Sequence, residues 1–280
     1  MVINEADIRE MVSTCLKRVL TEAYPIKPEM EQQIQEISVV CQNEIRRFFS
    51  SINRMNTTRV PNGWYNANND EDFGVWCSKK LDFEGFPPII LKYVHSKFAS
   101  GAYMEDYNEI WVFFDRRTTA EYIYEVLYHE TIHYIDVMHN KMPVVDKSKQ
   151  PDKIAYDIPR CFSTIFYTLW DKFELRAFAY QYSKFSGLRG AMYEYEALEH
   201  YLDVCKGYSE NDPIWDELSD IIWGERKNRR NTRNKFITRT EHLLNRYLDL
   251  VRRQFSEEEI NKYLERPKYN WWADQKYSYY

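Results

Sequence analysis

The segment from Leu127 to Asn140, LYHETIHYIDVMHN, contains three of the chain's six histidines. His129 and His133 are four residues apart, so a helix would place both imidazoles on one face, one turn apart. Two imidazoles arranged in this way can bind one zinc ion, each at about 2.0–2.1 Å. Glu130 lies beside them and would reach a water on the metal without becoming a ligand. The HExxH spacing therefore predicts a metal site with a general base.

A catalytic zinc ion needs a third protein ligand and one open position. The first candidate is His139, which follows His129 by ten residues, the spacing of the metzincin pattern HExxHxxGxxH. In that pattern the helix ends and the chain turns at the glycine, whose position is occupied here by Asp136. Aspartate adopts the left-handed conformation at a greater cost than glycine, so the pattern fits this chain imperfectly.

The second candidate for the third ligand is Glu174. A helix over residues 160–185 could bring its carboxylate against the helix that carries the two histidines. Close packing is expected there because the following residues are mostly small or apolar: Leu175, Ala177, Phe178 and Ala179. A glutamate in such a place is costly to bury unless a cation neutralises it, and an ion pair with Arg176 is the alternative explanation. We predict Glu174 as the ligand and keep the later histidine as the alternative.

The segments HETIHYID and FELRAFAYQ together resemble the zincin metallopeptidases. Among these, the chain is most similar to the gluzincins, in which HExxH is completed by a glutamate on a later helix. The resemblance covers about residues 109–185. It is closest to small bacterial and phage zincin-like proteins, in which that glutamate is followed by an Arg-Ala pair, here Arg176-Ala177.

What the resemblance implies is a zinc centre with a defined set of residues. His129, His133 and Glu174 would bind Zn²⁺, and Glu130 would be the catalytic base. The implied activity is that of a metallopeptidase, a hydrolase that cleaves peptide bonds with a zinc-activated water.

Two supporting roles have only candidates at this point. Many gluzincins place an aspartate four residues after the ligand glutamate to orient a ligand histidine, and this chain has Phe178 there. Asp136 or Asp171 could take that orienting role. An additional donor to the oxyanion is expected, and Tyr180 and Tyr182 are near enough in sequence to provide it. Because the chain has 23 tyrosines, a packing role is favoured for both.

A different class of function competes with the peptidase. The chain could be a zincin-fold protein that no longer cuts, with zinc bracing its helices in a structural or assembly role, for example in a phage particle. Protein assembly partners would then replace a peptide substrate. Glu130 weighs against this alternative, because a structural zinc has no need of a base and is usually closed by four protein ligands.

The elements around HExxH must place these side chains. The sequence predicts a helix over 119–138 that begins with a capping box, since Thr118 precedes Glu121 by three residues. An apolar strand over 109–114, EIWVFF, comes directly before this helix. Such a strand could hold an extended peptide substrate by backbone pairing.

The fold class predicted from these elements is α+β and zincin-like, with a small, mostly antiparallel sheet packed on the HExxH helix. Strands are expected over 73–83, 88–96 and 109–114, with residues 100–108, SGAYMEDYN, as a connection. Further helices are expected over 5–23, 28–52, 160–185, 190–205, 212–223, 232–254 and 256–264. The implied divisions are a helical hairpin (1–55), a metallopeptidase core (56–187) and a helical region packed on that core (188–280).

Composition restricts compartment and partners. The five cysteines are widely spaced and form no CxxC, which disfavours a disulfide scaffold and indicates a reducing compartment. No signal peptide and no membrane-spanning segment are expected, so the prediction is cytoplasmic, with a phage virion as the alternative. The net charge is −5. The basic run over 226–239 has no aromatic residues alternating with its bases, so nucleic acid is not favoured as a partner.

Overall fold

The protein has an α+β fold. The computed structural model describes residues 26–55, 60–66, 74–94, 100–139, 172–213, 215–216 and 229–265. The helices in these ranges are α1 (Pro28–Met55), α2 (Ala120–Met138), α3 (Lys172–Phe185), α4 (Gly187–Gly207), α5 (Arg229–Arg252) and α6 (Glu257–Leu264). The strands are β1 (Tyr65–Asn66), β2 (Val75–Phe83), β3 (Phe86–Val94), β4 (Gly101–Met104) and β5 (Glu109–Phe114), and a 3-10 helix at Glu105–Tyr107 connects β4 to β5.

The five strands form one mixed sheet in the order β1-β2-β3-β5-β4. Three neighbouring pairs are antiparallel, and β3 and β5 are parallel. Strands β2 and β3 form a hairpin whose turn contains Gly85, and its φ of 68° lies in the left-handed region that glycine adopts without strain. The predicted small and mostly antiparallel sheet is therefore present, together with the predicted helices that fall within the described residues.

Two predictions about this sheet are wrong. The segment expected to be a connection contains β4, which pairs with β5 and is one of the two edge strands of the sheet as described, β1 being the other. Strand β5 was expected to be able to hold a peptide, but it lies between β3 and β4, so both of its edges are already hydrogen-bonded. A peptide that adds a strand on this side of the sheet would have to pair with β4.

One face of the sheet is covered by α1 and α2. The apolar stripe of α1 faces this core with a spacing of three and four residues: Ile34, Ile37, Cys41, Ile45 and Phe48 are all buried. From the sheet, Ile89, Leu91, Ile110, Val112 and Phe114 are buried against them. This packing holds α2 next to the sheet, with HExxH facing β4.

Helix α3 lies between two hydrophobic cores. Its Ala177 belongs to the core formed by the sheet, α1 and α2, whereas its Leu175 and Ala179 belong to a second core formed with α4, α5 and α6. Contact on both sides fixes the position of α3 along α2. The predicted division at residue 187 stays a prediction, and the predicted helix over 5–23 lies outside the described residues.

Candidate metal centre

Helix α2 begins one residue later than the capping box predicted. Its N-cap is Thr119, whose side chain accepts a hydrogen bond from Tyr122 N–H at 3.2 Å. Thr118 instead accepts a hydrogen bond from the backbone N–H of Asp115 at 2.9 Å, in the turn that follows β5. The predicted box between Thr118 and Glu121 is therefore wrong, but the start of the helix is still capped.

Three side chains from α2 and α3 converge. The Nε2 atoms of His129 and His133 are 3.1 Å apart. Glu174 Oε2 lies 3.1 Å from His129 Nε2, and Glu174 Oε1 lies 3.4 Å from His133 Nε2. One ligand atom from each residue lies within 4.8 Å of the others, which is close enough for all three to bind one metal ion.

The electrostatics of this group suit a cation. The side chains of His129 and His133 are 9% and 7% exposed, and that of Glu174 is 28% exposed. Burial alone would raise the pKa of Glu174, but the charges and hydrogen bonds of the two histidines hold that pKa well below its usual range. A mostly buried carboxylate is thus kept anionic by two imidazoles, an arrangement in which a divalent cation can replace the histidine protons.

Glu130 is buried and faces the edge strand rather than α3. Its Oε2 accepts a hydrogen bond from Tyr103 N–H of β4 at 2.9 Å. Burial raises the pKa of Glu130, although the nearby His129 and His133 and the bond from Tyr103 work in the opposite direction. The carboxylate therefore lies beside the imidazole pair with its orientation fixed by the backbone of β4.

Gly101 allows β4 to approach Glu130. A Cβ atom at this position would lie 2.5 Å from Val126 Cγ1 and 2.9 Å from Glu130 Oε1. Real Cβ contacts are not this short, so a side chain here would displace either the strand or the carboxylate. The glycine is needed for close approach and not for an unusual backbone angle.

Replacing this glycine should destabilise the protein while leaving its metal ligands in place. We expect Gly101→Ala to destabilise the protein by about 1–3 kcal/mol, the usual cost of overpacking. Its metal affinity should stay within a few-fold of the wild type, because His129, His133 and Glu174 lie outside the clash. Urea unfolding and a metal titration check this result, with Gly207→Ala as the control, since nothing lies within 4 Å of a Cβ there. Equal stability of the two variants would contradict the close approach.

Asp136 of α2, a candidate for orienting a ligand histidine, forms an ion pair with Arg176 of α3. Its carboxylate accepts a hydrogen bond from the guanidinium of Arg176, and both side chains are buried. This ion pair joins α2 to α3 next to the converging ligands. The alternative ion pair between Glu174 and Arg176 is not formed, because Arg176 binds Asp136 and Glu174 contacts the two histidines. Asp171, the other candidate for the orienting role, lies outside the described residues.

The sequence analysis missed Gln181. Its Oε1 lies 3.0 Å from Nδ1 of His129, the ring nitrogen that points away from Glu174. Phe178, where gluzincins often have an aspartate, packs its ring against the His129 ring with centroids 4.6 Å apart. The sequence carries a signal for this residue, because Gln181 follows Glu174 by seven residues and therefore lies on the same face of α3.

The remaining candidates lie outside the converging group. His139 is exposed at the C-terminal end of α2, where its N–H bonds to the carbonyl of Ile135. The ring of Tyr182 stacks on Phe178, and burial raises the pKa of its hydroxyl. Tyr180 packs against both hydrophobic cores. These contacts are those of packing residues, so an oxyanion role for either tyrosine stays a prediction.

Comparison of the chain with known protein families, curated proteins and solved structures finds no match. Across the described ranges, no helix combines the length and the apolar character that a membrane crossing requires. The site must therefore be interpreted from its own geometry.

Proposed function

We propose that this protein is a zinc-dependent metallopeptidase of the gluzincin type. His129, His133 and Glu174 would bind the zinc ion, and Glu130 would act as the general base. The observation that carries the proposal is the convergence of two imidazoles and one carboxylate from separate helices on one point. The resemblance of HETIHYID and FELRAFAYQ to zincin motifs supports it.

The donor set fits zinc better than Ca²⁺ or Mg²⁺, and the HExxH spacing favours zinc over Fe²⁺, which the same donors can also bind. Two neutral imidazoles and one carboxylate form a known catalytic zinc set, whereas Ca²⁺ and Mg²⁺ prefer oxygen ligands. Three protein ligands leave a fourth position for water or substrate, and the partial exposure of Glu174 provides access for solvent. When bound, Zn²⁺ would make a water molecule acidic enough to lose its proton near neutral pH and would polarise a peptide carbonyl.

The side chains around this position would carry the proton. Glu130 would accept the proton of the attacking water and then donate it to the leaving amine. Burial favours this exchange, because it raises the pKa of Glu130 toward the working pH of such a base. The bond from Tyr103 N–H keeps one carboxylate oxygen in place. The other oxygen is then available for the proton.

A peptide or protein is the substrate class that the sheet favours. β4 is the edge strand beside Glu130, and an extended peptide can add to such an edge through main-chain hydrogen bonds.

Cys41, Cys77 and Cys205 are buried and form no disulfide, which supports a reducing compartment such as the cytoplasm. The alternative, a zincin-fold assembly protein that does not cut, would use the same ligands to brace α2 against α3.

Metal analysis combined with a cleavage screen tests the proposal. We expect the purified protein to contain about one zinc ion per chain and to cleave members of a random peptide library. A chelator should abolish cleavage, and added Zn²⁺ should restore it. Bound zinc without cleavage of any library peptide would favour the assembly protein. Absence of any stoichiometric divalent metal after incubation with Zn²⁺ would overturn the metal site itself.

A further inference from the structure

The two nitrogens of the His129 ring have different surroundings. Nε2 faces Glu174 and the other imidazole, at the point where the ligands converge. Nδ1 faces the side-chain amide of Gln181, whose Oε1 is 3.0 Å away. The same amide also lies against Glu125, one turn before His129 on α2, where it works against the burial that raises the pKa of that carboxyl. These three side chains therefore form a continuous row across the contact between α2 and α3.

We propose that Glu125 and Gln181 are positioning residues that hold His129 in the tautomer able to bind metal. The proposal rests on the metal site described above, but it assigns a role to two residues outside the ligand set. We call this row of three side chains, Glu125, Gln181 and His129, the amide relay.

The direction of the amide relay follows from which groups can donate and accept. The carboxylate of Glu125 only accepts hydrogen bonds, so the amide of Gln181 must turn its NH₂ group toward it. The carbonyl Oε1 of Gln181 then faces His129, and because it only accepts, Nδ1 must carry a proton and donate. A neutral imidazole with a proton on Nδ1 has its lone pair on Nε2, the nitrogen that faces the other ligands.

The surroundings of the amide relay strengthen this selection. The ring of Phe178 packs against the ring of His129, with centroids 4.6 Å apart, and this contact limits the rotation of the imidazole. Ligand histidines usually donate their second N–H to a carboxylate, a carbonyl oxygen or water. In this chain an amide takes that place and a carboxylate lies one step further from the metal. We therefore expect the zinc site to carry less negative charge than one with a directly bonded carboxylate.

The test measures zinc affinity by competition with a chromophoric chelator. Gln181→Met removes the hydrogen bond to His129 and the polar contact with Glu125 at similar length, and should weaken zinc binding by about 10–100-fold, the usual effect of losing an outer partner of a ligand. Gln42→Met is the matched control, because the amide of Gln42 also joins a neighbouring helix to α2, through the carbonyl of Ala120 at 3.1 Å. Its zinc affinity should equal that of the wild type.

A double variant separates positioning from folding. Gln181→Glu combined with Glu125→Gln exchanges the carboxylate and the amide, so the net charge is unchanged and both polar contacts can still form. We expect it to bind zinc at least as tightly as the wild type, because a charged acceptor now faces His129 directly. Urea unfolding of the metal-free proteins provides the folding reference for every variant.

A second measurement reports the tautomer itself. In the zinc-loaded wild type, the proton on Nδ1 of His129 should be visible by NMR and should exchange slowly with water. It should exchange much faster in Gln181→Met. If that variant binds zinc as tightly as the wild type, or if the double variant is as weak as the single one, the amide relay is wrong while the metal site stands. A wild-type protein that binds no zinc would overturn the proposed function and the relay together.

Discussion

The Glu130→Gln protein is expected to bind zinc as tightly as the wild type and to lose peptide cleavage. An amide of the same shape can keep the hydrogen bond from Tyr103 N–H, because it retains one carbonyl oxygen. It cannot take a proton from water. General acid–base catalysis contributes about 10²–10⁴-fold to a rate, and we expect a loss of at least this size in kcat. The affinity for zinc should change little, since Glu130 is not one of the three converging ligands.

Cleavage rates and zinc affinity should be measured on the same preparations. Glu121→Gln is the matched control, because this glutamate is exposed on the first turn of the same helix. It should cleave peptides at the wild-type rate. Zinc-dependent cleavage that survives in Glu130→Gln would show that another group is the base. A loss of zinc together with a loss of cleavage would show that Glu130 shapes the metal site and does not act on water alone.

The ligands were predictable from the sequence because their spacing is local or carried by a motif. His129 and His133 share a helix face by simple periodicity, and the structure brings them together with Glu174 as expected. Asp136 shows why the competing histidine does not join them. It lies inside α2, so the helix continues past it instead of turning back. His139 is six residues beyond His133, about 9 Å further along the axis and on another side of the helix.

The features that were missed depend on contacts distant in sequence. β4 has only four residues, all half-buried, so it shows no alternation that would distinguish it from a connection. Its place at the edge follows from the parallel pairing of β3 with β5, which no local pattern encodes. Gln181 was overlooked for a related reason. A glutamine on a helix is usually a solvated residue, and its role becomes visible only when α3 packs against α2.

The Glu174→Ala protein is expected to lose zinc affinity by more than the about 10–100-fold that an outer hydrogen bond contributes. Glu174 is the only anionic member of the converging group, and its carboxylate contacts both imidazoles. Without it, two neutral imidazoles would remain to hold the ion. The metal-free protein should still fold, because the Glu174 side chain is partly exposed and the substitution leaves the buried residues Leu175 and Ala177 in place.

The matched comparison is His139→Ala, which removes the competing third ligand. His139 is exposed at the end of α2, outside the converging group, so this protein should bind zinc like the wild type. A titration of both metal-free variants with Zn²⁺ in the presence of a competing chelator measures the difference. The reverse order of affinities would assign the third ligand to His139, and the chain beyond α2 would then have to turn back toward His129, as it does in the metzincin pattern. Equal affinities in both variants would mean that neither side chain completes the site.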